Sequence, residues 1–302
     1  METFNTYFTK LKKRNIDFVD IPLGEDLEAF ICPFLIENNK LANPIAFEVY
    51  ERVHQFLIKL NRDFIKPNKR SEGIEFLSHL HEPNEYHLGY SDRNKGKAVS
   101  DVRAEVIYDA LRNNVLAKQN AAITNEAHFV LLLVKGIGQD IMSDIIANVC
   151  RDIFANFTLK ICTIYKVATV AEIIEFYNAI TKKWETKKVN LPNFAGKPII
   201  LLPKFIISGG RAYVNLYNWF IARNYLSLEI LNRKKPLTTD SKFIFKLKNG
   251  TRKAIVKKIY QTYRKPKNEL IEFVKKFKGS LDEFVWYAKE HYPELDLDSL
   301  NN

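Results

Sequence analysis

The chain has 302 residues, a formal net charge of +11, 46% hydrophobic residues and 13% aromatic residues. That apolar content is enough for a packed core, which excludes a globally disordered chain, and the length fits one large domain or two smaller ones. The longest apolar runs, residues 129–134 and 198–202, are far too short to span a bilayer, and the alternating apolar and basic N-terminus does not read as a signal peptide.

In chain order, residues 2–14 predict a first helix with Phe4, Phe8 and Leu11 on one side. Residues 17–22 and 28–36 predict short strands around a turn at Gly24. Pro44 suits the first position of a helix, and Ile45, Val49, Val53, Phe56, Leu57 and Leu60 give that helix an apolar stripe. Residues 71–80 predict another short helix. The polar stretch 81–101 is long for a loop inside a domain, which favours a functional role. It ends where Ser100 or Asp101 can cap a helix running to about Leu111.

The strongest signal is the stretch 125–158. It holds an apolar run, a Gly136-Ile137-Gly138 turn and an amphipathic helix. Ile141, Ile145, Ile146, Val149, Cys150, Ile153, Phe154 and Phe157 share one helical face. Asp140, Asp144, Asn148 and Arg151 take the opposite arc, which is expected to face solvent. Residues 159–165 read as buried. Thr169-x-x-Glu172 has the form of a capping box and predicts a helix to about Thr181. Residues 184–191 and 197–207 predict strands with a turn at 193–196, the second apolar enough to lie inside a sheet or between layers. An aromatic-rich helix follows over 213–231, then a linker at 235–240. Three short helices are expected over 252–263, 268–277 and 281–291. The expected fold class is α+β, mostly helical, with a small sheet from strands near 17–36 and 184–207. The expected domains are a core at 1–234 and a basic helical region at 235–302.

Charge is unevenly spread. Residues 1–150 carry 18 Lys+Arg against 21 Asp+Glu, residues 151–302 carry 28 against 14, and residues 233–278 alone carry 16 against 3. With Phe243, Phe245, Tyr260 and Tyr263 interleaved, this block is a footprint suited to a polyanion. Arg252, Lys253, Lys257, Lys258, Arg264 and Lys265 are its candidate phosphate contacts. Lys95 and Lys97, flanking Gly96 ahead of a helix N-terminus, are further anion contacts. The plainer reading of both is a solvated lysine-rich surface.

The pattern Leu131-x-x-Val134-Lys135-Gly136-Ile137-Gly138, followed by Ile145 and Ile146, resembles the helix-hairpin-helix motif over 131–146. That resemblance implies a hairpin whose backbone N–H groups hold a phosphate, with Lys135, Gly136 and Gly138 at the contact. Lys135 stands where the motif has a proline, Met142 where it has a small residue, and Asp140 and Asp144 bring negative charge. Those two carboxylates, one helical turn apart, are the candidate catalytic residues of an alternative reading, a Mg²⁺- or Mn²⁺-dependent nuclease. Glu126 or Glu105 would complete the shell, with Lys135 near the leaving phosphate. The plainer role for the pair is to cap the helix and complement its dipole, and that is the expected outcome. No cofactor is otherwise implied.

His79, His81 and His87 form the histidine cluster visible in sequence, without the second ligand pair of a zinc site. Cys32, Cys150 and Cys162 are unpaired in spacing and odd in number, which favours core positions in a reducing, cytoplasmic compartment. The segments FICPFLI, EPNEYHLGYS and KGIGQDIMSD resemble uncharacterised bacterial proteins associated with phage defence or mobile elements. The expected function is nucleic-acid binding, DNA or RNA, as a subunit of a bacterial antiviral-defence or genome-maintenance system, with other protein subunits as partners and no membrane. The remaining alternative is a protein-interaction module docking on an acidic partner.

Overall fold

The computed structural model describes residues 2–11, 16–89, 100–114, 123–209, 212–233 and 237–291. It is an α+β protein, mostly helical, and its described strands form small two-stranded antiparallel sheets. The chain divides into two compact units, Met1–Gly210 and Arg211–Pro293.

In the first unit the described part of the expected helix over 2–14 forms a π-helical turn, Asn5–Thr9, and residues 12–14 lie outside the described residues. Asp20 holds it, its carboxylate accepting the Asn5 N–H at 2.8 Å and the Thr3 hydroxyl at 2.9 Å. Strand β1 is Phe30–Ile31. The strand expected to continue to residue 36 stops because Pro33 follows extended Cys32 and opens helix α1, Pro33–Asn39. Helix α2, Pro44–Lys59, begins as expected, with the Asn43 side chain accepting from the Ile45 and Ala46 N–H groups, and runs on as a π turn over Leu60–Ile65. Helix α3 is Arg70–Leu77, α4 is Ser100–Asn113 and α5 is Ala127–Leu133. The long helix predicted over 139–158 is two: α6, Gln139–Val149, and α7, Arg151–Tyr165, broken at Cys150 where φ is −107° and ψ is 19°. Residues 159–165 are thus the end of α7, with Ile161 and Cys162 buried but Leu159 and Ile164 exposed.

The capping-box expectation at residue 169 fails. Val170–Asn178 is strand β2, paired over nine positions with β3, Lys183–Leu191. Val170, Ile173, Ile174, Phe176 and Tyr177 are β-branched or aromatic, and a full cross-strand partner outweighs a four-residue capping signature. The turn at 193–196 joins β4, Asn193–Phe194, to β5, Lys197–Pro198. Ile199 to Leu202 are fully buried as predicted, but they form no ladder. Their N–H groups go one by one to Pro192 O, Glu85 O and Thr158 Oγ1, while Leu202 O accepts from Val19. Strand β6, Ile207–Ser208, pairs with β1, and an isolated bridge joins Phe18 to Pro203. Of the small sheet expected from strands near 17–36 and 184–207, two short patches join residues 18 and 30–31 to 203 and 207–208, while 183–191 pairs with β2 instead. The three cysteines are buried and free, as expected.

The second unit begins with helix α8, Ala212–Ile221, which continues through a π turn into α9, Ser227–Asn232. A 3-10 turn, Thr238–Phe243, leads to a hairpin of β7, Ile244–Lys246, and β8, Arg252–Ala254, where a helix was expected to start. Helices α10, Val256–Tyr263, α11, Leu270–Lys276, and α12, Ser280–His291, follow. Tyr217, Phe220 and Phe284 form the aromatic centre, with the Tyr217 and Phe284 rings 4.9 Å apart. The aromatic helix over 213–231 thus belongs with the basic C-terminal helices, and the unit boundary falls at 210/211, ahead of the 234/235 expected from composition. At the far end of the expected linker, Asp240 is buried and holds Arg233 at 3.0 Å.

Candidate nucleic-acid interface

The second unit carries 19 Lys+Arg against 7 Asp+Glu, or +12, which leaves 27 against 28 for the rest of the chain. The whole net charge of the protein therefore sits in this unit. Its densest part is the β7–β8 hairpin and the start of α10. Cross-strand register pairs Lys246 with Arg252 and Phe245 with Lys253. Two cations directly opposite each other destabilise a hairpin, and neither has an ion-pair partner among the described residues. Phe245 is 44% exposed beside them, and Leu247 is also exposed. Lys257 and Lys258 point outward from α10, whose buried residue is Ile259. Lys257 and Arg264 are seven residues apart, close to two helical turns. Arg252, Lys253, Lys257, Lys258 and Arg264 are all exposed.

Lys265 differs from the other five. Its backbone N–H donates to Asn218 Oδ1 at 2.7 Å, its carbonyl accepts from Asn218 Nδ2 at 2.9 Å, and its ammonium is shared between Glu269 and Glu272. It is an internal tie between α8 and the segment ahead of α11. A groove of about 350 Å³ beside it is lined by both signs of charge, including Glu229, Arg233, Lys265, Glu272 and Lys276. Mixed lining of this kind does not favour a polyanion.

In the first unit, the segment 131–146 runs as the end of α5, a turn at 134–138 and the first part of α6. Gly136 takes φ +92°, a conformation that favours glycine, and lies against Ala110 of α4. Lys135 and Gly136 are exposed, and Gly138 is the N-cap residue. Asp140 is the second residue of α6 rather than its cap, and its carboxylate folds back over Gly138. It complements the helix dipole from the first turn. Lys95 and Lys97 lie outside the described residues.

The polar arc opposite the apolar face is half-buried at Asp140 and Asp144 and buried at Asn148 and Arg151, which corrects the helical-wheel reading. Asn148 is buried, donating to His81 O at 2.8 Å and Asp144 O at 2.8 Å while its Oδ1 accepts from the His81 N–H. Arg151 is buried too, bonding Asn148 Oδ1 and lying 2.8 Å from Glu85 Oε1. Tyr86 donates to Ala147 O at 2.9 Å. The segment 81–89, the described part of the polar stretch 81–101, is thus stapled along α6. Asp144 is held by Arg103 at 2.7 Å, and the same guanidinium takes Glu82 at 3.0 Å. Burial pushes Asp144 up to about 7, with Glu82 and Asp140 adding to the shift against Arg103. Glu105 pairs with Arg70, and Glu126 lies beside His54. The two shell-completing acids expected beside Asp144 are thus engaged elsewhere.

His79 and His81 both face Glu175, at 2.9 and 3.4 Å, and His79 stacks on Trp184. His87 is buried separately. Among the described residues, the group that brings three metal-type ligand atoms together is Glu37, Glu126 and His128, all within 4.8 Å of one another. No sequence spacing announces it, because α1 and α5 meet only in the fold.

The fold thus defines a mostly helical α+β protein whose larger unit is nearly charge-neutral and whose smaller one is strongly basic. The chain belongs to the family described as Domain of unknown function (DUF8370), whose model matches residues 9–215. No curated protein and no solved structure matches it. Among the described residues no helix is long and apolar enough to cross a membrane.

Proposed function

We propose that this protein binds nucleic acid through its second unit, tracking the phosphate backbone with the β7–β8 hairpin and α10 rather than reading sequence. One observation carries the reading: exposed cations, including a facing Lys246–Arg252 pair, sit beside an exposed phenylalanine with no acid to neutralise them among the described residues. Such a pair is tolerable when phosphates supply the missing charge, and aromatic side chains between cations suit the stacking of bases. A role in bacterial antiviral defence or genome maintenance rests on the sequence resemblance alone.

The test is a salt titration on labelled duplex DNA and on RNA, with and without Mg²⁺ or Mn²⁺, scoring binding and cleavage together. Each backbone contact contributes about −0.9 to the log–log salt slope on duplex DNA. Replacing Arg252, Lys253, Lys257 and Lys258 with Gln is expected to flatten that slope by about 2–4 and to weaken all sequences alike. Lys265→Gln is the internal control, expected to leave the slope unchanged and to cost less than about 1 kcal/mol of stability. An unchanged slope in the quadruple variant rejects the reading and favours an acidic protein partner. Metal-dependent cleavage lost in Asp140→Ala/Asp144→Ala would establish the nuclease alternative.

A further inference from the structure

We propose that Glu37, Glu126 and His128 hold one divalent first-row transition ion, a resident structural ion that ties α1 to α5. The site lies in the first unit and is independent of the basic surface. Glu37 comes from α1, Glu126 is the residue ahead of α5, and His128 is on the first turn of α5. Nδ1 of His128 stands 4.0 Å from Glu37 Oε2, and the His128 side chain is 5% exposed.

Two buried oxygens point to a ligand. Glu126 Oε1 is occupied: Tyr50 donates to it at 3.3 Å and His54 Nδ1 lies 3.1 Å away. Its other oxygen, Oε2, is buried with no hydrogen-bond partner. Glu37 Oε2 is also buried without a hydrogen bond; the Lys40 ammonium is 2.8 Å away but outside hydrogen-bond geometry, and it also caps the Tyr50 ring at 3.6 Å. Glu37 Oε2 already has the Lys40 charge beside it, whereas Glu126 Oε2 is withdrawn from water and left unbonded; that is costly, and a cation removes the cost. Beside Glu126 and His128 is a void of about 10 Å³, bordered also by Pro33, Ile36, Tyr50 and His54; Glu37 stands outside its lining and reaches it only by a side-chain shift. That volume is about one probe sphere, enough for a single small species.

The donor set selects the ion. Imidazole with two carboxylates suits Zn²⁺, Mn²⁺ or Co²⁺ better than Mg²⁺ or Ca²⁺, which take oxygen ligands. Bonds of about 2.0–2.2 Å bring such ligands about 3–3.5 Å apart, so modest side-chain closure from the present spacing brings the three donors to bonding distance, with water in the fourth position. His54, whose Nδ1 faces both the Asn125 carbonyl and Glu126 Oε1, is a positioning residue. It fixes the carboxylate so that Oε2 turns towards the ion, the role that outer-shell partners play in metal sites.

The experiment uses the full chain stripped with chelator, then titrated with Co²⁺ or Zn²⁺ alone. Calorimetry, the visible spectrum of the cobalt form and melting curves are recorded. One equivalent is expected to bind, with visible bands and a rise in Tm that Mg²⁺ at equal concentration does not give. Glu126→Gln and Glu37→Gln keep shape and are expected to weaken binding at least about tenfold while their metal-free forms still melt cooperatively. His54→Gln is expected to weaken binding less than Glu126→Gln does. Absence of stoichiometric binding to the wild type overturns the proposal, as does equal affinity in Glu126→Gln. If Glu126→Gln lowers the metal-free Tm and metal moves neither protein, the cluster is an ion pair between His54 and Glu126 and the proposal falls.

Discussion

Asp144 lies under Arg103 with Glu82 and Asp140 close by, and burial pushes its carboxyl up to about 7. The ordinary value is 3.8, so between about pH 4 and pH 7 the folded state binds the proton more strongly than the unfolded chain does. Stability from this group is therefore complete below the unfolded value and is lost as pH rises through the folded one. The slope reaches at most about 1.4 kcal/mol per pH unit for one proton. Wild-type stability minus that of Asp144→Asn should accordingly fall from pH 5 to pH 8 in denaturant titrations; a difference that is flat across that range would show that the carboxyl ionises normally. Asp26, raised to about 6 by burial and by Glu82, tilts both proteins alike and largely cancels in the difference. The acidic character of position 144 was legible in sequence, but its environment was not. Helical spacing places it on the polar arc, and only the arrival of residues 81–89 and Arg103 takes that arc out of water.

Helices α3 and α4 meet at Gly73, where a Cβ would fall 2.4 Å from the buried Tyr108 ring. The Tyr108 hydroxyl is tied to Phe64 O at 3.2 Å, so the ring has little room to retreat. Gly73→Ala gains helix propensity yet overpacks this contact, and the second effect should win, with a net loss of about 1–3 kcal/mol. Equal or greater stability on chemical denaturation would mean that the two helices slide apart without cost. The β2–β3 hairpin teaches the same lesson about local signals. Helix starts that depend on a cap or a proline, such as Asn43-Pro44, were readable because the cause lies within four residues. The Thr169–Glu172 signature misled because the strand it opens is specified by Lys183–Leu191, its partner across the turn.

Across the whole molecule, charge and architecture coincide: +12 in the second unit and −1 over the rest. This arrangement separates local footprint from bulk charge. Replacing exposed Lys66, Lys69, Lys160 and Lys166 of the first unit with Gln removes the same four charges as the hairpin variant. If the second unit makes the contacts, the salt slope with this variant should match wild type in fluorescence-anisotropy titrations; equal flattening by both quadruple variants would make net charge alone responsible. The sequence by itself determined the class of the fold, the apolar face of α6, the buried cysteines, the turn over 134–138 and the basic block, because each follows from short-range periodicity or composition. Only the tertiary structure decided that the aromatic helix over 213–231 joins the basic unit, that Asn148 and Arg151 on the polar arc are buried, and that Lys265 is an internal tie. It alone brings Glu37, Glu126 and His128 together. These depend on which distant segments meet, and a carboxylate or an amide carries no local mark of the partner that will desolvate it.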